Sequence, residues 1–279
     1  MTMDPERSRR YLDAMGVPVW RLRTADVEPQ GPEPGLEEIE ELEKMSPPAQ
    51  QGNSMASEPA DLSNAGVEPF PAAAPEAVPA EGIAGADWER LSEAVSSCRA
   101  CALCETRTRT VFGVGSRRAD LMIVGEAPGA DEDRQGEPFV GRAGQLLNLM
   151  LAAIGLEREQ VFIANILKCR PPGNRDPRPE ETLRCEPYLM RQIALVRPRV
   201  LLSVGRISAQ KLLRTDAPIG KLRGRWFVFG PDEIPLTVTY HPAYLLRSPD
   251  QKSKAWQDLL EVMRRLRETA GDSGAEATG

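Results

Sequence analysis

The fold of this chain is decided by residues 121–144, which read LMIVGEAPGADEDRQGEPFVGRAG. The apolar run Leu121 to Val124 predicts a buried strand of a parallel sheet. The run ends at Gly125-Glu126-Ala127-Pro128-Gly129, where two glycines and a proline interrupt regular structure. A helical pattern of apolar residues begins at Gln145. The stretch therefore predicts strand, loop and helix, with the loop at the sheet edge where open α/β proteins bind ligands.

The loop itself carries carboxylates rather than a phosphate cradle. It contains neither GxxxxGK[ST] nor GxGxxG, and the run Asp131-Glu132-Asp133 would repel a polyphosphate. A loop that combines acidic residues with Phe139 fits a neutral heterocycle and a water molecule better. The loop sequence therefore favours a site for an uncharged ring.

The rest of the sequence alternates between strand-like and helical segments. The strand-like runs are 161–165, 200–205 and 236–240, and the helical patterns are 88–97, 179–196, 207–213 and 254–267. Such alternation is typical of a parallel sheet that is covered by helices on both faces. We therefore predict an α/β fold, a three-layer α/β/α sandwich with a central four-stranded parallel sheet.

Composition divides the chain into three parts. Residues 1–85 are rich in Pro, Ala and Glu and carry 16 acidic and 6 basic side chains, which predicts a disordered tail. Within them, residues 9–20 (RRYLDAMGVPVW) are patterned and are either a remnant without a role or a docking peptide. Residues 86–268 form the predicted domain, and 269–279 a second disordered tail. The stretch 86–267 has 29 basic and 22 acidic residues, a balance that suits a nucleic-acid partner.

Five cysteines at clustered spacings predict a metal site rather than disulfides, because no signal peptide precedes them. Cys98, Cys101 and Cys104 form C-x2-C-x2-C, and fifteen residues separate Cys169 from Cys185. The paired C-x2-C motifs of a zinc ribbon are absent. Four of these cysteines suit either a [4Fe–4S] cluster or zinc. A four-ligand site leaves one cysteine over, and a plain buried thiol is the alternative for Cys104.

Several motifs now combine into a specific resemblance. They are Gly125–Gly129 after the first strand, Phe139–Gly144, Asn165 at the end of the second strand, Lys168–Pro172, and His241–Arg247 after the fourth strand. Together they resemble family 4 uracil-DNA glycosylases, the iron–sulfur members of the uracil-DNA glycosylase superfamily, over about residues 92–267. The resemblance implies a DNA-repair enzyme that flips uracil out of single- or double-stranded DNA and hydrolyses its N-glycosidic bond. The products would be free uracil and an abasic site.

The resemblance also implies the roles of individual residues around the base. Phe139 would stack on uracil, and the amide of Asn165 would pair with its O4 and N3–H edge. His241 would donate a hydrogen bond to the oxygen that becomes charged when the base leaves. Leu245, Leu246 and Arg247 would form a wedge that fills the space of the extruded base.

The water-orienting group is less directly implied. Ala127, which we expect to line the substrate pocket, stands where the better-known family 1 enzymes carry an aspartate. The catalytic carboxylate must then be Glu126 or Glu132. We favour Glu126 for the water and sugar side, with Glu132 against the C5 face of the base.

Cofactor, partners and location follow from the same resemblance. Cys98, Cys101, Cys169 and Cys185 are expected to hold a structural [4Fe–4S] cluster. Uracil-containing DNA is the expected partner of a monomer in the bacterial cytoplasm, associated with the nucleoid. If residues 9–20 are a docking peptide, a repair or replication protein is the expected partner there. No membrane is expected, because the longest apolar run, Leu149 to Leu156, is far shorter than the roughly 20 residues of a span.

One competing function comes from the same superfamily. A relative that forms a lasting covalent adduct with uracil-bearing DNA is the alternative. Such proteins carry an extra histidine in an inserted loop, whereas His241 is the only histidine of this chain. The sequence therefore favours hydrolysis with turnover.

Overall fold

The computed structural model describes residues 80–275, with side chains over 82–268, and four isolated positions, Glu6, Arg9, Arg10 and Asp13. Most of the predicted N-terminal tail and docking peptide lie outside the described residues. The same holds for the last four positions of the predicted C-terminal tail.

The strands and helices follow the alternation that the sequence predicts. The strands are β1 (Val114–Gly115), β2 (Leu121–Gly125), β3 (Phe162–Asn165), β4 (Val200–Val204), β5 (Trp226–Phe229) and β6 (Ile234–Thr239). The helices before β3 are α1 (Ala80–Ala84), α2 (Trp88–Ser96), α3 (Leu103–Thr106), α4 (Ala130–Gln135) and α5 (Arg142–Ala153). Those after it are α6 (Pro179–Val196), α7 (Arg206–Leu212), α8 (Ile219–Leu222), α9 (Pro242–Arg247) and α10 (Lys252–Ala275). Single 3-10 turns occupy Arg158–Gln160, Pro172–Asn174 and Pro249–Gln251.

The sheet has the order β1-β3-β2-β4-β6-β5. Strands β3, β2, β4 and β6 are parallel, so the predicted central four-stranded parallel sheet is confirmed. The short strands β1 and β5 extend it antiparallel at its two edges, which the sequence analysis did not predict. In the central register Gly125 pairs with Asn165, so these strand ends lie side by side.

Helices cover both faces of the sheet and produce the predicted three layers. Alternate residues of a strand point to opposite faces. Ile123 therefore belongs to a core with Leu147 of α5 and other residues of α5 and α10. Its neighbour Met122 belongs to a second core with Leu189 of α6 and residues of α7. The sheet is thus buried on both sides, as apolar parallel strands require.

Helices are described on the outer side of both predicted domain boundaries. Helix α1 precedes the predicted start at residue 86, and Ile83 is only 2% exposed. The carbonyl of Ala86 accepts a 2.6 Å hydrogen bond from Arg191 of α6. Helix α10 continues to Ala275, past the predicted end at residue 268. Within the described part of the chain, no helix is long and apolar enough to cross a membrane.

Candidate active site

The candidate active site lies at the carboxyl edge of the parallel strands. Gly125 is the last residue of β2, and Asn165 is the last residue of β3. Gly205 directly follows β4, and His241 is the second residue after the end of β6. These four residues therefore lie at the carboxyl ends of four neighbouring strands, which is the edge where open parallel sheets bind ligands.

Phe139 and His241 form one wall of this edge. Their rings stack with centroids 5.5 Å apart and planes 28° apart. Phe139 has a φ of 54°, a conformation that bulky side chains seldom adopt outside functional sites. The guanidinium of Arg158 holds the loop in place by donating to the carbonyls of Phe139 and Pro138. Phe139 is therefore a fixed ring rather than a mobile loop residue.

Asn165 faces the same space with an unused acceptor. Its side-chain Oδ1 is buried and has no hydrogen-bond partner among the described residues. A Cβ atom placed on Gly125 would collide with this Oδ1 and would lie 2.7 Å from the Phe139 ring. Only glycine therefore fits at position 125 with these neighbours. A buried acceptor without a partner is costly unless a ligand supplies the donor.

His241 is held as a neutral donor. Its Nδ1 accepts a 3.1 Å hydrogen bond from the backbone N–H of Ala243 and caps helix α9. That contact places the proton of the neutral ring on Nε2. Burial lowers the pKa of His241 to about 4, with a further lowering by Arg247 and an opposing effect of Glu132. The imidazole is therefore uncharged near neutral pH and presents one N–H donor.

Glu126 is the carboxylate at this edge whose pKa is strongly raised. Burial, followed by the nearby Asp176, raises the pKa of Glu126 to about 7, while Arg206 opposes the shift. Asp176 and Arg206 form a 2.7 Å ion pair with each other. A carboxylate with a pKa near 7 changes its protonation under working conditions, as catalytic carboxylates often do.

Glu132 makes a different kind of contact from the one predicted. Its two oxygens accept hydrogen bonds from the backbone N–H groups of Gly129, Val140 and Gly141 at 2.9–3.1 Å. The carboxylate thus ties the start of helix α4 to the loop that carries Phe139. The structure gives Glu132 a bracing contact, and its predicted catalytic role stays a prediction.

The three residues of the predicted wedge differ in exposure, and their role as a wedge stays a prediction. Leu245 is 1% exposed and packs in the core with α5. Leu246 is 37% exposed, and Arg247 is exposed as well. Ala127, predicted to line the substrate pocket, packs against the apolar cluster that contains Cys169 and Cys185.

All five cysteines line one small cavity. Cys98, Cys101 and Cys104 are half-buried, whereas Cys169 and Cys185 are buried, and none is in a disulfide. The same cavity is lined by Arg107, Lys168 and Tyr188. No group of three or more His, Cys, Asp or Glu side chains in the described residues is arranged to hold a metal ion. The fold thus gathers the predicted ligands but does not by itself close them around an ion.

Arg107, Lys168 and Arg184 line this cysteine cavity, and the first two donate hydrogen bonds to cysteine sulfur atoms. Arg107 donates to the Cys169 Sγ at 3.1 Å and to the Cys98 carbonyl at 2.6 Å. The backbone N–H of Lys168 donates to the Cys185 Sγ at 3.3 Å. Burial raises the pKa of Cys169 to about 11 and that of Cys185 to about 12. These thiols therefore stay protonated at neutral pH unless a metal replaces the proton.

Some contributors to the site were not found from the sequence. Arg158 and Asp176 act through side-chain contacts that depend on the tertiary fold, and the motif that contains Lys168 gave no sign of the contacts of its side chain. Gly205, with a φ of 101°, had a signal, because it ends the apolar run of β4. A Cβ atom there would lie 3.0 Å from the Cβ of His241, so this glycine allows the imidazole to approach the strand end.

Comparison with known proteins assigns this arrangement to a class. Residues 112–260 match the family model of the Uracil DNA glycosylase superfamily, so the chain belongs to that superfamily. A type-4 uracil-DNA glycosylase of Archaeoglobus fulgidus is 44% identical over 174 residues, which are 60% of this chain and 87% of that protein. One of Thermotoga maritima is 43% identical over 164 residues, 57% of this chain and 83% of that protein.

Sequence identity is lower to a member of another family of the superfamily. The type-5 uracil-DNA glycosylase of Mycobacterium bovis is 32% identical over 180 residues, 52% of this chain and 66% of that protein. The chain therefore belongs with the type-4 uracil-DNA glycosylases, and the resemblance found from the motifs is confirmed.

Proposed function

We propose that this chain is a uracil-DNA glycosylase of base excision repair, which extrudes uracil from single- or double-stranded DNA and hydrolyses its N-glycosidic bond. One observation carries the proposal: the unpartnered Oδ1 of Asn165 is buried beside the Phe139 ring. Uracil has an N3–H donor for this oxygen and a flat face for the ring, whereas cytosine offers no donor at N3. The extruded base would satisfy both groups at once.

Hydrolysis then uses two groups, the neutral hydrogen-bond donor His241 and the ionised carboxylate Glu126. The C1′–N1 bond breaks, and its electron pair leaves with uracil as an anion. The Nε2–H of neutral His241 donates to O2, where negative charge develops as the bond breaks. A preorganised donor at such a position stabilises the transition state strongly. Ionised Glu126 orients a water molecule that adds to C1′, and this carboxylate accepts the proton that the water loses. Glu126 then gives the proton to solvent and the uracil anion takes one up, so uracil is released neutral and Glu126 is ionised again. The products are free uracil and an abasic site.

The cysteine cavity supports a [4Fe–4S] cluster as a structural cofactor. Cys98, Cys101, Cys169 and Cys185 line it together, and the flanking Arg107 and Lys168 would offset the negative charge of four thiolates. The described residues show no arrangement for a single ion, and a cluster does not need one, because its four cysteines bind four different iron atoms. Such a group would supply a covalent junction between the segment before α3, the end of β3 and helix α6. We also propose that the protein acts as a monomer on DNA in the bacterial cytoplasm.

Incubation with a uracil-containing single-stranded oligonucleotide, followed by alkali, tests the activity. We expect strand cleavage at uracil and release of the free base, with His241→Ala slowing the chemical step by about 100- to 1,000-fold. A protein–DNA band that survives heat and SDS, and that disappears in His241→Ala, would instead establish the covalent binder.

Iron content and visible absorbance test the cluster separately. Cys101→Ala should lose iron, whereas Cys104→Ala should retain it, because four ligands complete the site. Stoichiometric zinc without iron in anaerobically prepared protein would contradict the proposal. So would a cluster that depends on Cys104 and not on Cys101.

A further inference from the structure

Lys168 is a lysine whose side chain is almost wholly inside the protein. It is 2% exposed, and burial lowers its pKa to about 8. Its Nζ donates to the backbone carbonyl of Asn165 at 2.9 Å and to Oε1 of Gln192 at 2.6 Å. A buried amine with so few partners is held in one geometry, because moving it would leave donors without acceptors.

The second acceptor of Lys168 is itself fixed. Gln192 lies on α6 and is fully buried, and its Nε2 donates to the carbonyl of Phe112 at 2.8 Å. That bond determines which end of the amide faces Lys168. A continuous chain of hydrogen bonds therefore joins Phe112, Gln192, Lys168 and Asn165.

The backbone around Asn165 and Lys168 is fixed at both ends. Ile166 N–H donates to the Gly125 carbonyl at 2.9 Å, and Leu167 N–H donates to the Glu126 carbonyl at 3.0 Å. At the other end, Lys168 N–H reaches Cys185, and the Lys168 carbonyl accepts from Val111 at 2.8 Å. The turn of residues 165–168 thus connects the base-facing strand end with the cysteine cavity.

We propose that Lys168 is a positioning residue for base recognition, whose Nζ holds the backbone of Asn165 so that the side-chain amide keeps its place in the pocket. This inference rests on the proposed function, in which Asn165 reads uracil. Packing alone does not account for a lysine here. An apolar chain of similar length would fill the same space without the cost of burying an amine.

A double-mutant cycle tests the inference. Lys168→Met keeps the length of the side chain and removes its donors. We expect it to weaken the binding of free uracil, measured by calorimetry, and to slow single-turnover uracil release, each about tenfold. In an Asn165→Ala background the same change should have almost no further effect, because the residue through which it acts is gone. If Lys168→Met caused only a general structural defect, it would lower affinity and rate by the same factor in the wild-type and the Asn165→Ala backgrounds. That result would overturn the proposal.

A matched pair at Gln192 serves if Lys168→Met does not fold. Gln192→Leu and Gln192→Glu both lose the donor to Phe112, but only the leucine also removes the acceptor for Lys168. We expect uracil affinity to fall in Gln192→Leu and to be largely preserved in Gln192→Glu. Equal losses in the two variants would contradict the role of Lys168.

Thr237→Val is the control for loss of a buried hydrogen bond elsewhere. Thr237 is 3% exposed and donates to the Arg225 carbonyl at 2.9 Å, on a strand separated from β3 by two others. It should lower thermal stability but not uracil affinity.

Iron content per chain should stay the same in Lys168→Met, and its loss would show that the residue acts on the cluster instead. Wild-type protein that releases no uracil would contradict the proposed function, whereas additive effects in active protein contradict only the positioning role.

Discussion

At the scale of single residues, burial moves two pKa values of the site in opposite directions. The pKa of His241 falls to about 4 and that of Glu126 rises to about 7, because a low-dielectric surrounding disfavours each charged form. Above pH 7 the site therefore contains a neutral imidazole donor and an ionised carboxylate. Near pH 5.5 both groups are uncharged, and the negative charge that would orient water is lost.

The rate of uracil release should therefore increase with pH through about 7. Asp176→Asn should move this midpoint to lower pH, because Asp176 helps to raise the pKa of Glu126. Arg206→Gln should move it to higher pH, because Arg206 lowers that pKa. Single-turnover rates between pH 5 and 9 on one uracil oligonucleotide measure both shifts. A rate that is flat over this range, or shifts of the same sign, would exclude Glu126 as the ionising group.

The same carboxyl makes a stability prediction with a defined sign. The folded-state pKa of Glu126 lies above its ordinary value of 4.5, so ionisation disfavours the folded state as pH rises from 4.5 to 7. Glu126→Gln should therefore leave the melting temperature unchanged near pH 4 and raise it above pH 7. Scanning calorimetry at the two pH values measures the difference.

Sequence motifs pointed to residues that the structure brings together at one sheet edge, but not to the side chains that support them. Phe139, Asn165 and His241 carry strong local signals because the loop or strand end that positions each is short. Leu245 and Leu246 show the limit of such signals. They are adjacent on a helix of one and a half turns, and only the packing of α9 on α5 decides which leucine faces the core.

At the scale of elements, the loop between β2 and α5 owes its shape to Glu132. The carboxylate accepts hydrogen bonds from three backbone N–H groups. Two of them belong to Val140 and Gly141, which directly follow the stacking residue Phe139. This contact explains how a bulky ring is kept at a positive φ. Such a brace is invisible in the sequence, where Asp131, Glu132 and Asp133 look alike.

Glu132→Ala should therefore affect both stability and activity. Loss of charge-assisted bonds to three donors should cost about 2 kcal/mol, or about 4–8 °C in melting temperature for a domain of this size. Uracil release should fall as well, because the Phe139 loop loses its anchor. Asp131→Ala is the control, since Asp131 forms a surface ion pair with Arg134. If activity falls while the melting temperature does not, Glu132 acts in the chemistry rather than as a brace.

The edge strands show why element prediction was incomplete. Strand β1 has two residues, too few for any periodicity to be recognised. Strand β5 reads WFVF, a run rich in strand-forming residues, but it is partly exposed and lacks the fully buried pattern of the central strands. The parallel strands β2, β3 and β4 were predictable because burial on both faces makes them largely apolar runs, whereas β6 (IPLTVT) was recognised by its β-branched residues.

At the scale of the whole molecule, a buried apolar side chain, Ile83, lies before the compositional boundary at residue 86. Ile83 and Ala86 pack with Leu91 and with Cys169 and Cys185 in one apolar cluster. The segment that carries Ile83 is short and lies among residues rich in Ala, Gly and Glu. Composition alone therefore assigned it to the tail, although its one large apolar side chain is buried beside the cysteine cavity.

Two truncations that differ by six residues test this boundary. Removing residues 1–79 takes away 15 acidic and 6 basic side chains but leaves Ile83, whereas removing 1–85 also deletes α1. The shorter deletion should preserve the free energy of unfolding. The longer one should lose about 1.5–3 kcal/mol, the value of burying one isoleucine, as measured by urea titration. Ile83→Ala within the shorter deletion should reproduce most of this loss, because it empties the same site.

Both truncated proteins should still release uracil, since neither deletion removes a residue of the pocket. They should also bind uracil-free DNA more tightly at low salt than the full chain, because an acidic segment no longer competes with phosphates for the basic domain. Fluorescence anisotropy over a salt series measures this gain, which should shrink as salt screens the charges. A shorter deletion that keeps its stability and iron but cannot excise uracil would show that the N-terminal segment takes part in catalysis. Equal stability of the two truncations would instead show that α1 contributes nothing to the domain.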